Sequence, residues 1–417
     1  MTATFNSLGS NYDSEFVLLA LKQLFWPAKK ARQQLCVRLA KFFQTPASTV
    51  QLVYKGRDAI ELALKIAGIG QGDQVLTQAF ACYAVEEGIK RTQAQPVYVD
   101  LATQSLNPSI KTLNQALKRA PAAKAVIIQH TLGSVAEIKK IKAWCTKHNL
   151  ILIEDLAQAM GGCSQADQQH PKPETLGLSA DLIVLSFGRD KIIDAVTGGA
   201  VIVKAKKLQK QWQTRFGKAS VPYLVGEGTR VKKLLYPLLT YLIRFSYDWQ
   251  VGKLLHWLAK KFHLIDSPLV CQTQQAATLP QAFAQLALKQ LARLSTQLEH
   301  RQKIAQYYYH HLSSLKHLQL ITTQQDLQYG ANLRFAIAVA APQKLLAYLA
   351  NHKLYVADRW YRSAVDCGQE QCQTVYKPGS CPQAEQLAQQ IINLPTHQYV
   401  KMNTAAQIVQ LLKSYGN

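Results

Sequence analysis

At 417 residues and 48% hydrophobic content, the chain has ample material for a sizeable core, and two domains, or one with a lobe, are expected. Eight cysteines without a Cys-x-x-Cys pair exclude a disulfide scaffold and read as reduced thiols; Cys367, Cys372 and Cys381 cluster but match no common zinc spacing, so no metal is expected. The formal charge of +23 is concentrated, with 13 Lys and Arg against only Glu227 and Asp248 between residues 204 and 262, yet no zinc-finger, RNA-recognition or basic-zipper pattern accompanies it, and no nucleic acid partner is expected.

Asp13 and Glu15 precede the first apolar segment, unlike the basic start of a secretory signal, so a cytoplasmic location is expected. Residues 1–15 are polar and turn-rich and read as an irregular arm. They open an N-terminal helical region over 1–45, in which Leu19, Leu21, Phe25 and Leu35 mark one or two helices broken near Pro27. The next region, 46–207, starts where extended Val53–Lys55 meets Gly56 and a helix running to Ile69. A helix N-terminus offers free N–H groups suited to an anion. Gln74–Thr77, Pro96–Asp100 and Ala125–Gln129 read as strands, with helices around 84–92 and 110–119 between them. A helix carrying Ile138, Ile141 and Cys145 leads on to the strand Leu150–Ile153, and Asp181–Leu185 adds another buried strand. This alternation predicts an α/β fold with a mostly parallel sheet and right-handed crossovers. Ligands sit beyond strand ends in such sheets, which directs Asp100, His130, Asp155 and the Ser186–Lys191 loop to one edge.

A carboxylate after one strand, Asp155, and a lysine after the next, Lys191, have a bland reading as a salt bridge or as two solvated loop charges. The sharper reading is pyridoxal phosphate (PLP), which needs a lysine to bond its aldehyde and an acid to keep the ring nitrogen protonated. Glu154-Asp155-Leu156-Ala157-Gln158-Ala159, Ser186-Phe187 followed by Lys191, and Thr197-Gly198-Gly199-Ala200 together resemble the DegT/StrS-type (DegT/DnrJ/EryC1/StrS) sugar aminotransferases. The resemblance covers residues 50–205 well and 280–415 more loosely. It implies the fold-type I PLP-dependent transferase architecture: a seven-stranded-type, mostly parallel sheet in a large domain, a linker helix region over 271–300 and a smaller C-terminal α+β domain over 301–417.

The same resemblance implies roles for individual residues. Lys191 becomes the catalytic lysine that bonds the cofactor, Asp155 the partner of the ring nitrogen, Gln158 a hydrogen-bond partner of the ring hydroxyl and Ser186 a phosphate-binding hydroxyl. Gly56 and Arg57 match a phosphate loop, from which Asp58 departs because an acid is a poor phosphate neighbour. An aromatic residue covers the ring in the family; counting back from Pro96 puts Cys82 at that place, and a one-residue shift puts Tyr83 there, the preferred assignment. His130 reads either as a cofactor neighbour or as a hydrogen-bonded structural residue. A lysine is a nucleophile only when partly neutral, a state that a desolvated cleft with nearby cations favours.

From 208 to 270 the resemblance runs out. Two apolar runs, Leu234–Ile243 and Leu254–Phe262, read as a basic amphipathic helical insertion, the first far short of the ~20 residues that span a bilayer. Either residues 208–262 lie on an anionic membrane surface, or the insertion packs on the body or on a partner subunit. One long helix is expected from Pro280 to Tyr309, resembling the linker, with Ala276 and Thr278 where the family carries an Asn and an Arg that reach the partner's site. Strands follow around Arg334–Val339 and Leu354–Ala357, and Ile392–His397 resembles a late signature. The resemblance implies a homodimer that moves an amino group from glutamate to a nucleotide-linked keto-sugar for a glycan precursor. Two other classes stay open: a different PLP reaction, such as a lyase or a non-sugar transaminase, and a non-catalytic membrane-associated scaffold of the same fold.

Overall fold

The computed structural model describes residues 2–165, 172–215, 225–265, 277–357, 360–367 and 372–416; Cys271 and Ala276 lie outside them. Seven apolar runs form one sheet: β1 (Val50–Val53), β2 (Gln74–Gln78), β3 (Gln95–Val99), β4 (Ala123–Gln129), β5 (Ile151–Asp155), β6 (Leu182–Ser186) and β7 (Gly199–Val203), in the order β1-β7-β6-β5-β4-β2-β3. Strand β7 is antiparallel to both neighbours and every other pair is parallel. Successive residues enter opposite core layers, Ala125 and Ile127 on one side and Val126 and Ile128 on the other. Burial on both faces is why these strands read as continuous apolar runs instead of alternating ones.

Helices α1 (Ser14–Phe25) and α2 (Ala31–Phe42) flank the predicted break at Pro27. Around the sheet follow α3 (Gly56–Ile66), α4 (Tyr83–Lys90), α5 (Ile110–Arg119) and α6 (Ile138–Lys147). The basic insertion contributes α7 (Lys206–Arg215), α8 (Glu227–Ser246) and α9 (Val251–Lys261). No helix among the described residues is long and apolar enough to cross a membrane. A three-stranded antiparallel sheet of Gln319–Leu320, Arg334–Ala338 and Ile391–Pro395 forms the C-terminal lobe, with its own core around Tyr308, Phe335, Leu345 and Ile408.

Three expectations need correction. The helix expected over 280–309 is two helices, α10 (Gln281–Ala292) and α11 (Leu294–Leu312), parted at Arg293 (φ −102°, ψ 3°). There the Arg293 guanidinium is drawn to Asp13 at 2.5 Å and to Glu15. The N-terminal arm is not irregular throughout, since Thr4–Phe5 pairs in parallel with Leu354–Tyr355 of the C-terminal lobe. Nor are all the thiols free. Cys367 and Cys372 are paired side by side, their Cα atoms 6.1 Å apart, a separation that a disulfide can span.

Candidate active site

The ends of β5 and β6, the first turn of α3 and the loop from Gly188 to Gly198 surround one cavity of about 160 Å³. Its wall includes Gly56, Arg57, Cys82, Asp155, Gln158, Ser186 and Lys191. Asp155 and Lys191, more than thirty residues apart in sequence, thus face the same space. Asp155 is buried and Lys191 half-buried, and desolvation acts on the two groups in opposite senses. It holds the Lys191 ammonium below its ordinary pKa against the pull of Cys82, Asp155 and Asp190, while Arg334 adds to the lowering. It raises the Asp155 carboxyl, opposed by the Ala157 N–H and then by Lys191 and His130. The Ala157 N–H donates to Asp155 Oδ1 at 3.0 Å.

Gly56 opens α3, and a Cβ there would lie 2.9 Å from Ser186 Cβ and 3.0 Å from its Oγ. Only glycine lets the helix N-terminus, with its unsatisfied amides, approach the serine this closely. The second glycine demand is at Gly198, whose φ of +126° excludes other residues before β7 begins. Arg57 lines the cavity, but its Nη1 donates to Glu87, and Asp58 is turned to Arg91 at 2.9 Å. Asp58 faces Arg91, and burial still lifts its pKa to about 6.

The lysine loop is held from the far end of the chain. Asp194, fully buried, accepts the backbone N–H of Asp190 at 2.8 Å and of Val196 at 3.0 Å. Those two residues have φ of 61° and 69°, conformations that cost non-glycine residues, and Val196 most because it is β-branched. The Tyr12 hydroxyl donates to Asp194 Oδ1 at 2.6 Å, and Asn11 Nδ2 donates at 3.2 Å both to Asp194 and to the Lys191 carbonyl. Tyr12→Phe should leave this buried carboxylate one donor short and lower stability by about 1–3 kcal/mol. An unchanged thermal midpoint in the variant would show that the bond has no such weight.

Two of the sequence assignments do not reach the cavity. Tyr83 packs in the core, and it is Cys82 that lines the wall, because its thiol caps α4 by accepting the Ala84 N–H at 3.4 Å. His130 is fully buried, with Nδ1 accepting the Ala136 N–H at 3.2 Å. The proton therefore sits on Nε2, which donates to Glu154 at 3.2 Å. Asp100 is occupied as well, accepting the Gln383 and Ala384 amides at 3.1 and 3.0 Å. In their place Trp360 and Tyr361 close the cavity: the Lys191 Nζ lies 4.6 Å from the Trp360 ring centroid, and Gln158 Nε2 donates to the Tyr361 hydroxyl at 2.6 Å.

A family profile described as the DegT/DnrJ/EryC1/StrS aminotransferase family matches residues 17–220 and 276–413. The chain belongs to that family. Among curated DegT/DnrJ/EryC1/StrS relatives, a pleiotropic regulatory protein of Geobacillus stearothermophilus is 40% identical over 106 residues, 25% of this chain and 28% of that one. GDP-perosamine synthase of Vibrio cholerae is 29% identical over 163 residues, 39% of this chain and 41% of that one. The chain thus spans less than half the length of either relative. Similarity of fold reaches further: the structure of NtdA from Bacillus subtilis with bound cofactor PMP has a TM-score of 0.71 at 18% identity, covering 100% of this chain and 85% of that one.

Aminotransferases of the DegT/DnrJ/EryC1/StrS family use PLP, and the residues present fit that cofactor. The close approach of Gly56 to Ser186 leaves a helix N-terminus open to a phosphate, while a half-buried amine and a buried carboxylate share one wall. Lys55, Arg189, Lys233, Trp360 and Tyr361 also line the cavity and escaped sequence reasoning. Their only signal was an unusual density of cations and aromatics in loops and in the insertion.

Proposed function

We propose that this protein is a PLP-dependent aminotransferase that moves an amino group from glutamate to a nucleotide-linked keto-sugar, working as a homodimer in the cytoplasm. The observation that carries the reading is that Lys191 and Asp155 line a single cavity beside the Gly56–Ser186 cradle. Bound there, PLP supplies an electron sink that stabilises negative charge on the carbon bearing the amine. The chain's own residues do the rest. Ser186 and the first amides of α3 hold the phosphate, and Asp155 keeps a proton on the ring nitrogen. Gln158, fixed by the Leu132 N–H at 2.6 Å and by Tyr361, orients the ring, with Cys82 on its wall. Lys191 Nζ, its pKa lowered by burial, would take the proton from the substrate carbon that bears the amine and return it on the cofactor side. Trp360 and Tyr361 exclude water.

The nucleotide-linked sugar as acceptor is supported by the GDP-perosamine synthase likeness. The test is purified protein examined for a visible cofactor band, then assayed with glutamate and a panel of nucleotide-linked keto-sugars. Failure to take up added PLP would sink the reading, and activity only with another donor would replace glutamate. Light scattering at the mass of one chain would remove the homodimer.

The insertion supports a peripheral location at the inner face of the membrane. Val231, Leu235, Leu242 and Phe245 recur along one exposed side of α8, and Trp249, Leu254 and Trp257 continue the exposed apolar surface through α9. Trp249 is 68% and Trp257 56% exposed, and Lys253, Lys260 and Lys261 stand among them, the last 4.8 Å from the Trp257 ring. Aromatic and basic residues mixed in this way suit an anionic bilayer surface. The protein should sediment with phosphatidylserine-containing vesicles and not with neutral ones, and a Trp249→Ser/Trp257→Ser variant should stay in the supernatant. No sedimentation of the intact chain would leave the surface to a protein partner.

A further inference from the structure

The cavity wall carries more positive charge than one cofactor phosphate answers. Among the described residues, Lys55, Arg57, Arg189, Lys191 and Lys233 line it against the single carboxylate of Asp155. Lys191 is reserved for chemistry; the others are Lys55, Arg57, Arg189 and Lys233. Of these, Lys233 is the one that comes from the insertion. It stands on α8, three residues before Tyr236 and so on the same side of the helix. Tyr236 is buried, with the Arg189 guanidinium 4.8 Å from its ring centroid. Lys233 and Arg189 are thereby brought to one part of the wall by a contact between α8 and the lysine loop.

Helix α8 is fastened there by this chain's own N-terminal segment. Arg244 Nη2 donates to the Tyr12 carbonyl at 2.9 Å and Arg230 Nη1 to the Gln23 carbonyl at 3.3 Å. The Tyr12 and Tyr236 rings meet edge-on at 6.0 Å, and Thr240 is fully buried against Gly9. Tyr12 in turn holds Asp194 in the lysine loop. One connected set of contacts therefore fixes both the catalytic lysine and the helix that presents Lys233.

We propose that Lys233, acting with Arg189, is a phosphate-binding subsite which the inserted helix α8 adds to the cavity in cis. The inference rests on the aminotransferase reading above. Its ligand is a phosphate ester, and two are at hand: the monoester of PLP and the diphosphate of a nucleotide-linked sugar. A flexible ammonium binds either as a point charge, while a guanidinium adds directed donors.

The test uses the full-length protein with Lys233→Ala, Lys233→Arg and Lys232→Ala, the last on the neighbouring position outside the cavity wall. PLP affinity is read by absorbance titration of apoprotein, and affinity for UDP and GDP by calorimetry on holoprotein. Lys233→Ala should weaken one of these by about tenfold or more, the effect of one charge-assisted hydrogen bond. Lys233→Arg should stay within a few-fold of the parent, and Lys232→Ala should match it. A loss confined to PLP assigns the subsite to the cofactor; a loss confined to the nucleotides, with PLP binding intact, assigns it to the substrate. If Lys233→Ala matches the parent in both titrations, the subsite is overturned while the aminotransferase reading stands. If the parent takes up neither PLP nor nucleotide, both fall.

Discussion

Lys191→Ala is expected to erase the visible band of bound cofactor and to lower kcat/KM roughly 10⁴-fold, the upper range for loss of an acid–base group, with loss of covalent attachment added. The physical basis is that no other amine among the described residues of the cavity is placed as this one is. Burial lowers its pKa, Asp155 and Asp190 draw it the other way, and the Trp360 ring lies 4.6 Å away. Lys55 also lines the wall, with a pKa lowered to about 8 by burial and then by Arg57. It is the alternative nucleophile, so a band that survived in Lys191→Ala and vanished in Lys55→Ala would move the attachment point. The fold should tolerate the change, because the loop is held through the Lys191 carbonyl and Asp194, not through the side chain. Lys191→Arg should not rescue activity, since a guanidinium stays charged.

Asp155→Asn should leave the cofactor bound and lower kcat by about 10²–10³-fold, a magnitude usual for removing one preorganised electrostatic partner. Stability should move the opposite way. The folded-state pKa of Asp155 is raised by burial, so the ionised carboxylate opposes folding of the apoprotein, more so as pH rises above the ordinary carboxylate value. An amide of the same shape removes that opposition. The Asp155→Asn apoprotein should therefore melt no lower than the parent at neutral pH and lose the excess stability on acidification. Rapid-mixing measurement of cofactor band decay with an amino donor, beside thermal melts across pH, separates the two effects. A kcat within about threefold of the parent, far from the loss expected of such a partner, would show that Asp155 does not hold the ring nitrogen.

Local pattern was enough for much of this. The apolar runs at 123–129, 151–155 and 182–186 could be read as buried strands, because a strand covered on both faces needs only uninterrupted apolar residues. Asp155 and Lys191 could be placed after strand ends by pattern alone, but their roles, and that of Gly56, came from the family resemblance of the motifs around them. Whether Cys82 or Tyr83 faces the cavity was not legible, since that depends on the turn at which α4 begins, and the thiol cap on Ala84 decides it. His130 was open for a related reason: its position after β4 suits a site residue, and only the contacts of Glu154 and the Ala136 amide with its two nitrogens favour the structural reading.

What the chain determined by itself is the two-faced α/β sheet and the residues at its strand ends, because hydrophobic period and turn chemistry act over a few neighbouring positions. Only the tertiary structure decided what closes the cavity. Trp360 and Tyr361 come from the C-terminal lobe, Lys233 from an inserted helix and the brace at Asn11 and Tyr12 from the N-terminus. Contacts between segments so far apart in the chain are selected by burial and by the need to satisfy buried charges such as Asp194, and neither requirement leaves a periodic trace in sequence.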